Sequence, residues 1–294
     1  MDATTSPSGH LRIGELSRRT GVSVELLRAW ERRYGLLAPS RTAGGFRLYD
    51  DEDEQRVRRM LHHLDTGVSA SEAARIALEE AERFAPPEAR DEARLQQHST
   101  TLREALDELD EQAANTALDR VLAEFTLDAV LRDVVLPYLH ELGERWERGE
   151  SSIAQEHFAS ALLRGRLLGL ARGWGGGVGP VALLACAPGE PHDLGLICFG
   201  LALRARGWRI TYLGADTPPR SLAETATLVQ PSFVVVNIVT AQIPAEARRE
   251  LQALASSYRL ALGGPGADEA TAGSLGAELL AGDPVTAASH IASR

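Results

Sequence analysis

Lysine is absent from the chain: all 31 basic residues are arginine. Cationic recognition therefore rests on planar guanidinium forks, which suit phosphates and guanine edges better than an ammonium does. Cysteine is nearly as scarce. Cys186 and Cys198 both fall in apolar runs, which argues against a structural disulfide framework. No uninterrupted apolar stretch approaches the roughly 18 residues of a membrane span, so no membrane association is expected. The first ten residues, M-D-A-T-T-S-P-S-G-H, lack the charged start and apolar core of a signal peptide. They read as a disordered leader, and the chain reads as cytoplasmic.

What is present leaves room for two or three compact domains: 294 residues, 44% of them hydrophobic. A net charge of −10 excludes nucleic-acid binding over the whole surface. The charge is unevenly spread, however. Between His10 and Tyr49 stand eight Arg and three Glu, a local excess of five positive charges.

The chain is organised around Val181–Gly200, V-A-L-L-A-C-A-P-G-E-P-H-D-L-G-L-I-C-F-G. Val181–Ala187 suits a strand buried on both faces of a parallel sheet, and Pro188-Gly189 breaks it. From Leu194 the apolar residues recur at helical spacing. The loop between carries Glu190, His192, Asp193 and Gly195 at the carboxyl end of a strand, where open α/β sheets bind ligands. A neutral imidazole ligates a cobalt-like metal well, and a carboxylate two residues away can hold its other nitrogen. The bare E-x-H-x-x-G pattern arises by chance in roughly one chain in twenty; its place after a buried strand sets this one apart.

Further strands are expected at Arg209–Gly214, Phe233–Val239, Leu260–Gly263 and Glu278–Leu280, with helices at Arg220–Val229 and Ala245–Ala255 and a last one at Pro284–Ala292, giving a doubly wound, mostly parallel sheet over residues 178–294. Glu190, His192 and Gly195, with Gly263-Gly264, resemble the cobalamin-binding domain of vitamin B12 proteins. The resemblance implies that His192 replaces the cofactor's own dimethylbenzimidazole beneath cobalt (base-off, His-on), with the freed nucleotide tail slotted into the sheet. It also implies close approach of that tail at Gly263 and Gly264. Where such domains carry a Ser after the third strand this chain has Asn237, with Thr240 beyond, and Asn237 can hydrogen-bond the same benzimidazole nitrogen.

Near the amino end, a short helix ends at Thr20-Gly21, and Ser23 caps a second helix, Val24–Tyr34. Leu26, Leu27 and Trp30 form its expected buried stripe, leaving Glu25, Arg28, Glu31 and Arg32 outward. Pro39 is followed by S-R-T-A-G-G-F-R-L-Y, a ribbon or wing, and Asp50–Arg75 reads as two more helices broken at Thr66-Gly67. Arg12-Ile13-Gly14-Glu15-Leu16, Leu27–Gly35 and Gly45–Tyr49 resemble the winged helix-turn-helix of MerR-type regulators. The form W-E-R-R-Y-G is similar to their light- and B12-responsive branch, the CarH/CarA/LitR group. By that resemblance residues 11–80 bind operator double-stranded DNA. Arg28 and Arg32 then enter the major groove, with Arg12, Arg41, Arg47 and Tyr49 also at the DNA.

Residues 81–94, charged and containing Pro-Pro, read as a linker. Residues 95–175 read as four helices with short joins, a four-helix bundle. Within them Trp146 is followed, after nine residues, by Glu156-His157. That spacing resembles the signature of the same photoreceptor group, in which the bundle caps the upper face of adenosylcobalamin and these residues lie beside the adenosyl group. The group's light-cleaved cobalt–carbon bond, its dark dimer or tetramer and its repression of carotenoid genes are what the resemblance implies here. One position departs: Glu147 stands where light-sensing members commonly carry a His. A light-independent B12 sensor, or one with a second chromophore, therefore stays open. An enzyme is not expected, because a B12 mutase needs a substrate barrel of about 250 residues.

Overall fold

The computed structural model describes residues 11–42, 45–84, 87–240 and 242–293; the side chains of residues 41 and 82–89, and the expected leader at residues 1–10, lie outside the described residues. The chain forms two compact units, one ending at Glu92 and one beginning at Ala93.

In the first unit α1 (Ile13–Thr20) and α2 (Val24–Tyr34) are joined through Gly21, whose φ of +72° ends α1 with a left-handed turn. Ser23 Oγ accepts the Leu26 amide N–H and starts α2. Strands β1 (Ser40–Arg41) and β2 (Arg47–Leu48) pair antiparallel, and Leu11 bridges Tyr49 beside them. Then come α3 (Asp51–Asp65), opened by a reciprocal Asp50–Asp53 capping box, and α4 (Ala70–Phe84). Leu16, Leu27, Trp30, Tyr49, Val57 and Met60 form the core. The stripe of α2 that enters it is Leu27 and Trp30, with Tyr34 packed against it, the i, i+3, i+7 spacing of one helix face. Leu26 was expected in that stripe and instead is 43% exposed.

The segment expected as a linker, 81–94, is helical in its described residues. α4 runs to Phe84, and α5 (Pro87–Asp107) begins at the second proline. A proline in the first turn lacks only an N–H that has no helical partner there, so Pro87 starts this helix rather than preventing one.

The second unit opens with the bundle: α5 from Ala93 onward, α6 (Glu111–Glu124), α7 (Leu127–Val130), a π-helical turn (Leu131–Val135), α8 (Leu136–Glu147) and α9 (Ile153–Leu170). The π turn ends two residues before Pro137, which cannot donate to the carbonyl four residues back. A sheet follows in strict alternation: β3 (Val181–Cys186), α10 (Leu194–Ala205), β4 (Arg209–Gly214), α11 (Pro219–Val229), β5 (Phe233–Asn237), α12 (Ala245–Ser257), β6 (Leu260–Gly263), α13 (Glu269–Leu275), β7 (Glu278–Leu279) and α14 (Pro284–Ala292). The strand order is β4-β3-β5-β6-β7, and every pairing is parallel.

β3 shows why this chain makes such a sheet. Its six residues are all buried, and successive side chains feed two cores. Ala182 and Leu184 join Leu196, Phe199 and the bundle's Leu163 and Leu167, whereas Leu183 and Ala185 join Val234, Leu251 and Leu262. One apolar core thus runs from the sheet into the bundle. Between β3 and β5 the order reverses direction, which makes the carboxyl ends of these two strands the topological switch point where open α/β sheets bind ligands.

Candidate functional site

The loop after β3 is built around a buried carboxylate. Glu190 is fully buried, and its Oε2 accepts the backbone N–H groups of Val239 and Thr240, both at 2.7 Å, from the loop after β5. Its Oε1 accepts the His192 amide N–H at 3.0 Å and the ring Nδ1–H at 2.5 Å. Glu190 therefore ties the two switch-point loops together and fixes the tautomer of His192, leaving Nε2 with the lone pair. The His192 side chain is half exposed. A buried carboxylate behind a half-exposed imidazole is the arrangement of a metal-ligating histidine with its orienting partner.

Asn237 is buried, as a group facing a nucleotide tail should be, but its amide serves the loop itself. Nδ2 donates to the His192 carbonyl at 2.8 Å, and Cys186 Sγ lies 3.7 Å from the same oxygen. Burial pushes the Cys186 thiol up to about 12. Thr240 enters through its backbone. Of the two glycines, Gly264 is the demanding one: its φ is +93°, and a Cβ there meets Ile238 O at 2.2 Å. A Cβ at Gly263 makes only ordinary contacts, and one at Gly195 finds nothing nearer than Pro284 Cγ at 4.0 Å. The start of α10 is thus open to a bulky neighbour.

Asp193 was grouped with the cofactor residues and has another task. Its carboxylate accepts Arg164 Nε at 2.8 Å, Arg164 Nη2 at 2.7 Å and the Tyr212 hydroxyl at 2.6 Å. Burial and this bond to Asp193 both raise the Tyr212 phenol above its ordinary range. The sequence reading missed Arg164 and Tyr212. The available signal was Arg164 on α9, seven residues after His157 and so on the same helix face.

On the bundle, Trp146 near the end of α8 is 54% exposed, a rare position for so large an apolar group. Glu156 accepts the Ser160 hydroxyl at 2.8 Å, and His157 next to it is exposed. Glu147 is exposed as well, and His140, earlier on α8, pairs with Glu144 at 3.2 Å.

In the first unit Arg28 and Arg32 are exposed one turn apart on α2, with no ion-pair partner among the described residues. Arg12 is exposed, its guanidinium 5.4 Å from the centre of the Phe46 ring. Arg47 is half exposed, and its Nε contacts Glu31 Oε1 at 3.0 Å. Glu31, expected outward, is drawn inward by this pair and by the Tyr49 hydroxyl, which donates to Oε2 at 2.9 Å. Tyr49 is fully buried, so its assignment to the DNA face is corrected: it closes the core beneath the ribbon. The side chain of Arg41 lies outside the described residues.

Comparison with known proteins agrees with these two surfaces. Residues 11–80 match the MerR HTH family regulatory proteins, and residues 99–168 and 180–287 each match a B12 binding domain. The chain is 36% identical over 267 residues to the HTH-type transcriptional repressor CarA of Myxococcus xanthus, covering 88% of both chains. It is 36% identical over 243 residues to CarH of the same organism, covering 79% of both. Among solved structures, the monomethylamine corrinoid protein of Methanosarcina barkeri matches 67% of this chain and 98% of its own, with a TM-score of 0.57 at 18% identity. That likeness shows the fold of the second unit's class. The arginine face of α2 and the His192 loop therefore sit in one cobalamin-dependent regulator, and the chain belongs to the family of MerR-type, B12-binding transcriptional regulators that includes CarH and CarA.

Proposed function

We propose that this chain is a light-responsive repressor in which adenosylcobalamin, held base-off by His192, sets the oligomeric state and through it the affinity for operator DNA. The observation that carries the reading is the His192 side chain, oriented at Nδ1 by buried Glu190 and half exposed at the switch point of the sheet. The donor set fits the cofactor: a neutral imidazole Nε2 suits cobalt, and Gly195, three residues on, leaves open backbone at the start of α10.

When bound, adenosylcobalamin supplies a light-sensitive cobalt–carbon bond and a large group above the metal. The chain's own residues do the rest. Glu190 holds the imidazole, while exposed Trp146 and His157, with half-buried Glu156, are the bundle residues suited to cover an upper-face group. Arg28 and Arg32 contact the major groove, with Arg12 and Arg47 beside them. One such face makes few phosphate contacts, so two or more on a single operator gain effective concentration. We read the chain as a regulator and not an enzyme, on the repressor names of its relatives and on Arg28 and Arg32 of α2, which have no ion-pair partner among the described residues. Its setting is the cytoplasm; no described helix is long and apolar enough to cross a membrane.

A second reading has a specific observation behind it. Glu147 directly follows Trp146 and offers no imidazole to cobalt, which favours a B12 sensor that works without light, or one with a second chromophore. The deciding experiment is the visible spectrum of dark-reconstituted protein before and after green illumination, with sizing of the same samples. A spectral shift with a smaller species supports the photoreceptor. A bound cofactor with an unchanged oligomer supports the sensor.

A further inference from the structure

Asp193 holds the N-cap position of α10, yet its side chain makes no cap bond. An Asp there ordinarily accepts an amide from its own helix. This one is 4% exposed and faces the other way, toward Arg164 of α9 and Tyr212 of β4. Two guanidinium N–H groups and a phenol O–H satisfy it, as a buried carboxylate requires. The bond to Asp193 in turn raises the Arg164 guanidinium further above its ordinary range.

Three elements meet at this carboxylate, and it directly follows His192. The His192 carbonyl is already held from β5 by Asn237. From the bundle, Arg164 reaches the next residue. On α9, Arg164 shares a face with His157 and Glu156, seven and eight residues earlier, which is about 10–12 Å along the axis. A single helix thus carries the residues suited to the upper side of a corrinoid at one end, and at the other grips the loop suited to its lower side.

We propose that Arg164 is a positioning residue: through Asp193 it locks the Glu156–His157 face of α9 to the His192 loop, so that the bundle distinguishes corrinoids by their upper group. The inference rests on the cobalamin reading above. A contact that holds the bundle against the His192 loop removes part of the ordering cost of binding a large upper group. A corrinoid with a small upper group depends on the lower loop alone and gains little from it.

The test compares adenosylcobalamin with methylcobalamin, titrated in the dark into the full chain and into its Arg164→Gln variant. Arg164 is half exposed, and in the variant the Gln amide and the Tyr212 hydroxyl still offer donors to the buried Asp193 carboxylate. Affinity for adenosylcobalamin is expected to fall about tenfold, with methylcobalamin changed less than about twofold and the His-on spectrum retained in both. Asp193→Asn should reproduce the loss, and the double variant should be no worse than either single one. In the cofactor-free chain, amide hydrogen exchange over residues 153–164 should rise in Arg164→Gln. It should stay put in Arg166→Gln, which cuts an ion pair to Asp119 within the bundle. An equal loss for both corrinoids, or none for either, overturns the proposal while cobalamin binding by the parent chain stands. If the parent chain takes up neither corrinoid, the cobalamin reading fails and this inference with it.

Discussion

His192 shows what turns a histidine into a ligand. The imidazole is common; a buried carboxylate that accepts the ring N–H and three loop amides is not. His192→Ala is expected to abolish tight cobalamin binding in an absorbance titration, and unchanged affinity would remove the lower-ligand assignment. Glu190→Gln keeps the ring but weakens its anchor, so affinity should fall about 10–100-fold, the usual effect of losing such a partner. Cys186 gives a prediction on pH. Its thiol is raised to about 12 in the fold, largely by burial, against 9.0 ordinarily. A group raised in this sense favours the fold at low pH, so its contribution is complete below about pH 9 and fades toward pH 12. Below that window the native thiol should resist alkylation, at pH 8 for example, and react once the chain is unfolded. Modification of native Cys186 at that pH, read by mass spectrometry, would contradict the burial.

At the scale of elements, α2 separates its two duties by face. Leu27 and Trp30 are buried, while Arg28 and Arg32 stand outside without ion-pair partners among the described residues. Arg28→Ala should therefore weaken operator binding about tenfold or more and leave the cobalamin spectrum as it was. A variant that binds operator normally would displace α2 as the recognition helix. Leu27→Ala acts on the other face and should cost about 2–5 kcal/mol of stability in the first unit, measured by denaturant unfolding. At the sheet edge, Gly264→Ala places a methyl against Ile238 O at a φ that L residues avoid, and should cost more than about 2 kcal/mol.

For the whole molecule, charge and assembly pull in opposite directions. An acidic chain with one small basic segment is repelled by DNA except where that segment docks, so a single copy binds weakly, and with a shallow salt dependence because it neutralises few phosphates. Loading with adenosylcobalamin in the dark should produce both a larger species on sizing and tighter operator binding than the cofactor-free chain. A larger species with unchanged operator affinity would break the proposed link between assembly and repression.

Much of this was written in periodicity and punctuation. The ends of β4 and β6 and of α2 and α14 coincide with those read from the residues, because buried apolar runs and caps are local signals. The helix-turn-helix, the ribbon, the bundle and the parallel order of βα units were legible for the same reason, as was the pairing of Glu190 with His192 two residues away. The helical start at Pro87 and the short α13 were not, since proline marks a helix start as readily as a break and seven residues carry little period. Nor could the sequence say that Tyr49 turns inward to Glu31, that Leu26 faces out, or that Asn237 holds the His192 carbonyl. The tie between Arg164 and Asp193, 29 residues apart, was equally hidden. Each of these depends on which polar groups the folded chain brings within hydrogen-bond reach after burial has removed water as an alternative partner. That is decided by long-range packing, and no local spacing encodes it.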